Sequence, residues 1–201
     1  MFENLTVKEK EMKRINSFKN VIIVAILAVM LVGYFFHLSN KTQGKEEDVV
    51  KASVVQDVLS RNLKTNYPSS PKEVIKYFSE ITQCFYNEEY SETELVSLAD
   101  KMLGLYDDEL VAEKDHATYL LDLKSDIDFY KENGYKISSF APSASTDVEK
   151  FSQDGYEWAR IWCLYTIRSG KQIKTIQEVF ILRQDEKNHW RIYGWRPVEN
   201  E

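Results

Sequence analysis

Trp158, Arg160 and Trp162 alternate along one β-forming stretch, and Glu178 with Phe180 lies on the stretch that follows. Alternate residues of a strand share a face, and aromatic rings with arginine dominate the energetics of protein interfaces. If these five residues meet on one sheet face, that face can join two copies of the chain or receive a partner protein. The competing reading is that the tryptophans are covered by the segment from Pro142 to Asp154 or by the first helix. Acid–base chemistry has fewer candidates. Cys163 and Tyr165 fall on the opposite, apolar face of the same strand and could line a pocket. For Tyr165 the simpler role is a core ring whose hydroxyl is bonded nearby. His37, His116 and His189 each lack a second ligand at metal spacing. Asp107-Asp108-Glu109 and the run Asp122, Asp126 and Asp128 lack the glycine-containing spacing of a calcium loop. Lys124 and Lys131 are interleaved with the second group, as on a solvated, partly ion-paired helix face. The residues therefore predict no catalytic, cofactor or metal site.

The chain has 201 residues and a net charge of −6, and the acidic excess grows once its basic N-terminus is set aside. Such a charge repels a phosphate backbone and excludes nucleic acid as the expected partner. The two cysteines, Cys84 and Cys163, can pair or can serve as small buried hydrophobes in their apolar segments.

Helical spacing marks the first half of the main domain. Val50, Val54, Val55, Val58 and Leu59 recur every three or four residues. Ser70-Pro71-Lys72-Glu73 and Ser91-Glu92-Thr93-Glu94 read as N-terminal caps of two further helices, with Pro71 preset for the first turn. A fourth helix is predicted from about Glu113 through Leu120, Leu123, Ile127 and Tyr130, stopped by Asn133-Gly134. From Tyr135 onward β-formers dominate. Four strands are predicted at about 135–141, 156–168, 173–183 and 189–196. Ser169-Gly170-Lys171 and the segment Gln184 to Asn188 connect the last three as an antiparallel meander. Ala159, Ile161, Cys163, Tyr165 and Ile167 form the face expected to meet the helices.

Ahead of this domain, Val21 to Leu38 is an apolar run without charge, long enough for a transmembrane helix. Lys8, Lys10, Lys13, Arg14 and Lys19 precede it, so residues 1–20 are expected as a cytoplasmic tail and the main domain outside, in a single-pass cell-membrane protein. The bulky end Tyr34-Phe35-Phe36-His37-Leu38 does not suit a signal-peptide cleavage site. Residues 39–48 are polar and read as a stalk, leaving 49–201 as one extracytoplasmic α+β domain.

The strand Tyr156 to Tyr165, the stretch Val179-Phe180-Ile181-Leu182-Arg183 and the closing His189-Trp190-Arg191-Ile192-Tyr193-Gly194-Trp195 resemble the end of a nuclear-transport-factor-2-like domain. The chain also resembles an uncharacterised family of small single-span bacterial envelope proteins, through Asn66-Tyr67-Pro68, Cys84-Phe85-Tyr86-Asn87-Glu88-Glu89-Tyr90 and Asp154-Gly155-Tyr156-Glu157-Trp158. The first resemblance implies a cone of about four helices on a curved antiparallel sheet of about four strands. Fold alone does not choose a function. Two are expected: a binding or assembly domain acting through protein contacts, as a homodimer or with an envelope partner, and a small-molecule or isomerase/dehydratase-like domain using the cone interior. An inward-facing acid in a roomy pocket favours the second; an exposed Trp158/Trp162 patch beside a filled interior favours the first.

Overall fold

Local chemistry starts and stops most of the elements. The computed structural model describes residues 52–113 and 115–198. Helix α1 spans Ala52–Ser60 and buries Val55 and Val58. Helix α2, Pro71–Asn87, begins where the Ser70 side chain accepts the Glu73 N–H at 3.2 Å, with proline in the first turn. Helix α3, Glu92–Leu103, carries a complete capping box: Ser91 Oγ accepts from Glu94 N, and the Glu94 carboxylate accepts the Ser91 N–H at 2.8 Å. Ser91→Ala removes the hydroxyl that accepts the Glu94 N–H and bonds the Glu94 carboxylate, leaving the backbone half of the box, so it is expected to lower stability by about 1 kcal/mol, measurable by urea denaturation.

Where one fourth helix is expected, there are two. Asp107 caps a five-residue helix α4, Asp108–Ala112, by accepting the Glu109 N–H at 3.0 Å. Asp115 caps helix α5, His116–Glu132, by accepting the Thr118 N–H at 2.9 Å. Two caps eight residues apart cut the acidic segment into separate helices, because each side chain satisfies N–H groups that a continuous helix would bond internally. Asn133 then ends α5, and Gly134 turns the chain at φ +62°.

The sheet has five antiparallel strands rather than four: β1 Tyr135–Pro142, β2 Glu149–Gln153, β3 Tyr156–Ser169, β4 Gln172–Gln184 and β5 Trp190–Pro197. Strand β3 is long enough to take two partners on one edge, β2 along its first half and β1 along its second, while β4 and β5 follow on the other side. The added strand β2 comes from the segment between Pro142 and Asp154, and it is joined to β3 through Asp154 and Gly155, both at positive φ. Two left-handed residues give the turn the twist of its flanking strands.

Helix α2 lies against β1, β3 and β5 and carries the centre of the core. Val74, Ile75, Phe78, Ile81 and Phe85 are buried against Ala159, Ile161, Phe180, Leu182 and Ile192. Asn87, at the end of α2, accepts the Ile137 N–H and donates to its carbonyl, and Gln83 donates to the same carbonyl. These bonds satisfy the β1 backbone where its register against β3 shifts, between Ile137 and Ser139.

The expected transmembrane helix is corrected in the same terms. No helix among the described residues is long and apolar enough to cross a membrane. Residues 1–20, the apolar run at 21–38 and the polar segment 39–48 lie outside the described residues.

Candidate functional site

The five residues of the proposed sheet-face patch do not share one face. Trp158, Arg160 and Trp162 pair with Arg183, Ile181 and Val179, whereas Phe180 lies opposite Ile161 and Glu178 opposite Cys163. Phe180 and Glu178 therefore belong to the face that meets the helices. The physical reason is the β3–β4 connection. Ser169 pairs with Gln172, so the loop is the two residues Gly170 and Lys171, with Gly170 at φ +56°. A three-residue connection from Ser169 to Lys171 would shift the register by one and place Glu178 beside Trp162.

On the outer face Trp158 is buried, at 5 % exposure. Phe151 of β2 stacks parallel to it, Tyr193 meets it edge-on, and the Arg183 guanidinium lies over its ring. Its indole N–H donates to the Gln153 carbonyl at 3.1 Å. Arg160 is half-buried and pairs with Glu149 at 2.8 Å, and Trp162 is half-buried. The segment between Pro142 and Asp154 thus covers the first tryptophan.

The inner face opens into a cavity of about 430 Å³ between the helices and the sheet. Phe78, Phe85 and Tyr86 line it from α2, Tyr119 and Tyr130 from α5, Tyr165 from β3 and Trp195 from β5, with Tyr106 ahead of α4. Tyr86 and Tyr130 stack at 3.9 Å between ring centres, and Tyr106 and Trp195 lie 5.5 Å apart. Several hydroxyls already have partners. Tyr106 and Tyr119 are hydrogen-bonded to each other. Ser79 Oγ gives its proton to the Ile75 carbonyl, which leaves it to accept the Tyr165 hydroxyl at 2.7 Å. Tyr165 is therefore a tied ring of the cavity wall, while Cys163 beside it is buried and, like Cys84, a free thiol. Burial raises the Cys163 thiol and raises Cys84 to about 12, so both stay protonated at neutral pH.

Glu178 is the acid of this interior. It lines the cavity, and among the described residues no group donates a hydrogen bond to its carboxyl or forms an ion pair with it. Burial alone pushes its pKa up to about 7. At neutral pH it is divided between protonated and ionised forms, so it can accept a proton from a bound molecule, donate one, or hold a positive charge. Asp126 on α5 also lines the cavity and is raised to about 6, first by burial and then by the neighbouring Asp122. Asp122, Glu113 and Asp115 are exposed and form part of the rim, with Asp115 held low by its cap bonds to Thr118. No lysine, arginine or histidine among the described residues lines this cavity.

The remaining sequence candidates fall elsewhere. His116 sits exposed, 3.0 Å from Asp100, and His189 stacks on Tyr67 near Asp185. Asp107 is buried and bonded to Arg183, and Asp128 is exposed. No group of three metal-ligating side chains occurs among the described residues. The α5 contribution was the least visible in the sequence, because Tyr119, Asp122, Leu123, Asp126 and Tyr130 mix ring, acid and aliphatic at helical spacing. The acids expected on a solvated helix face include Asp126, which is instead half-buried in the cavity wall.

No curated protein matches the chain. One family does, over residues 8–195, and it is described as a domain of unknown function. The chain, with its ring-lined cavity, belongs to the DUF6715 family.

Proposed function

We propose that this domain binds a small organic molecule in the cavity between α2, α5 and the sheet. The observation that carries the reading is Glu178, a carboxyl with no hydrogen-bond or ion-pair partner among the described residues, facing a ring-lined cavity of about 430 Å³. That volume lies within the range of natural ligand sites, which are mostly apolar with a few placed polar groups. A half-buried carboxyl drawn away from bulk water without a partner costs stability, and a bound ligand would supply that partner. The likeness to nuclear-transport-factor-2-like domains supports the same place, since their interior lies between helices and sheet. Assembly through the outer sheet face has less support, because Trp158 is covered by the chain's own Phe151, Tyr193 and Arg183.

Ile176 lines the cavity from β4 and is half-buried, so a larger ring there fills space without breaking the strand. In native mass spectrometry of the full chain, the wild-type protein is expected to carry a small-molecule adduct, or to acquire one from a metabolite extract. Ile176→Trp should lose it while keeping the same circular dichroism. An adduct that survives Ile176→Trp, or a wild-type chain that takes up nothing, would count against the pocket.

A further inference from the structure

We infer that the ligand of this pocket is an organic cation, an amine or quaternary ammonium on an apolar body, held with its charge against Glu178. This rests on the pocket reading above and adds the charge and class of the molecule.

Three independent features of the cavity agree. The first is the sign of its charged groups. Glu178 lies inside, Asp126 stands on the α5 wall, and Asp122, Glu113 and Asp115 border the opening, while no basic side chain of the described residues lines the cavity. Clefts lined by one sign of charge concentrate ligands of the other sign and reject their own. A carboxylate or phosphate ligand would meet no positive side chain among the described residues that line the cavity.

The second is the wall. Five tyrosines, two phenylalanines and Trp195 surround the space. Aromatic rings attract cations through their quadrupoles, and cages of such rings are the usual solution for quaternary ammonium groups, which cannot donate hydrogen bonds. The same rings also accommodate an apolar body, so the molecule's hydrocarbon part need not be solvated.

The third is the state of the hydroxyls and acids. Tyr165 is committed to Ser79, and Tyr106 and Tyr119 to each other, so these hydroxyls are not free to organise a highly polar ligand such as a sugar. Glu178 has no such commitment among the described residues. Asp122, one helical turn before Asp126 on α5, places a second negative charge beside it and disfavours the ionisation of Asp126. A cation in the cavity pairs the first and relieves the crowding of the others.

The test is calorimetric titration of the full chain with three probes of similar size: benzyltrimethylammonium, neutral 4-tert-butylbenzyl alcohol and anionic 4-tert-butylbenzoate. The cation is expected to bind most tightly and the anion most weakly. Glu178→Gln, which keeps the side-chain shape, is expected to weaken the cation roughly tenfold or more and leave the alcohol within about twofold. Equal binding of cation and alcohol, or tighter binding of the anion, overturns the charge assignment and leaves the pocket standing. Binding of none of the probes also overturns it, and together with a wild-type chain that takes up nothing in the Ile176→Trp comparison it removes the pocket as well. Should Glu178→Gln fail to fold, the ranking of the three probes on the wild-type chain decides alone.

Discussion

Asp107→Ala is expected to lower the unfolding free energy of the domain by about 3 kcal/mol, within the range found when one partner of a buried ion pair is removed. Both oxygens of Asp107 accept from Arg183, one from Nε at 2.9 Å and the other from Nη2 at 2.5 Å, and one of them also caps α4. The pair is nearly closed to water, with side-chain exposures of 6 % for Asp107 and 12 % for Arg183. The guanidinium is further enclosed by the rings of Tyr156, Trp158 and Tyr193. Without Asp107 the carboxylate left to the cation among the described residues is Glu109, which is half-exposed at 50 % and 2.8 Å away, and α4 loses its cap. Equilibrium urea denaturation measures the loss. Arg183→Met combined with Asp107→Ala should recover part of it, because removing both charges leaves no buried charge unpaired. A loss below about 1 kcal/mol in the single variant would mean that water and Glu109 replace Asp107 at this site.

The second large effect is on the dependence of stability on pH. Glu178 has a folded-state pKa of about 7 against an ordinary value of 4.5, so the native state binds the proton more tightly than the unfolded chain. Stability from this group is full below pH 4.5, is lost as pH rises, and levels off above about 7. A shift of this size corresponds to about 3 kcal/mol. Asp126, raised to about 6 from 3.8, acts in the same direction over a lower window and contributes less, because water reaches it more readily. Glu94, Asp115 and Asp185 are held low by hydrogen bonds and work in the opposite sense, at pH values below the ordinary carboxylate range. Between pH 5 and pH 7.5 the empty domain should therefore become less stable. Glu178→Gln should flatten that slope and raise stability at pH 8 by up to about 3 kcal/mol. Urea denaturation of both proteins at four pH values measures this, and parallel pH profiles would show that Glu178 is solvated or paired in solution.

Elements with short-range causes were legible in the sequence. Ser70-Pro71 and Ser91 with Glu94 start α2 and α3 because a hydroxyl three residues ahead of an unpaired N–H acts within one turn. The apolar alternation from Ala159 to Tyr165 identified the buried face of β3 for the same reason, since the period of two is a property of the strand itself. Two elements were overlooked although their signals were present. Asp154-Gly155, between Phe151 and Trp158, is a strong hairpin signal and accounts for β2, and Asp107 and Asp115 are cap residues that divide the acidic segment into α4 and α5.

The sequence by itself determined where α2, α3, β1 and β3 begin and which side of β3 is apolar. Only the tertiary structure decided that Glu178 faces inward and that Trp158 is covered. The hairpin loop at Gly170-Lys171 sets the β3–β4 register, and a slip of one residue turns every β4 side chain to the other face. The cavity is decided at the same level. Its walls come from α2, α5, β3, β4 and β5, residues far apart in the chain whose rings are brought together only when the helices pack on the sheet.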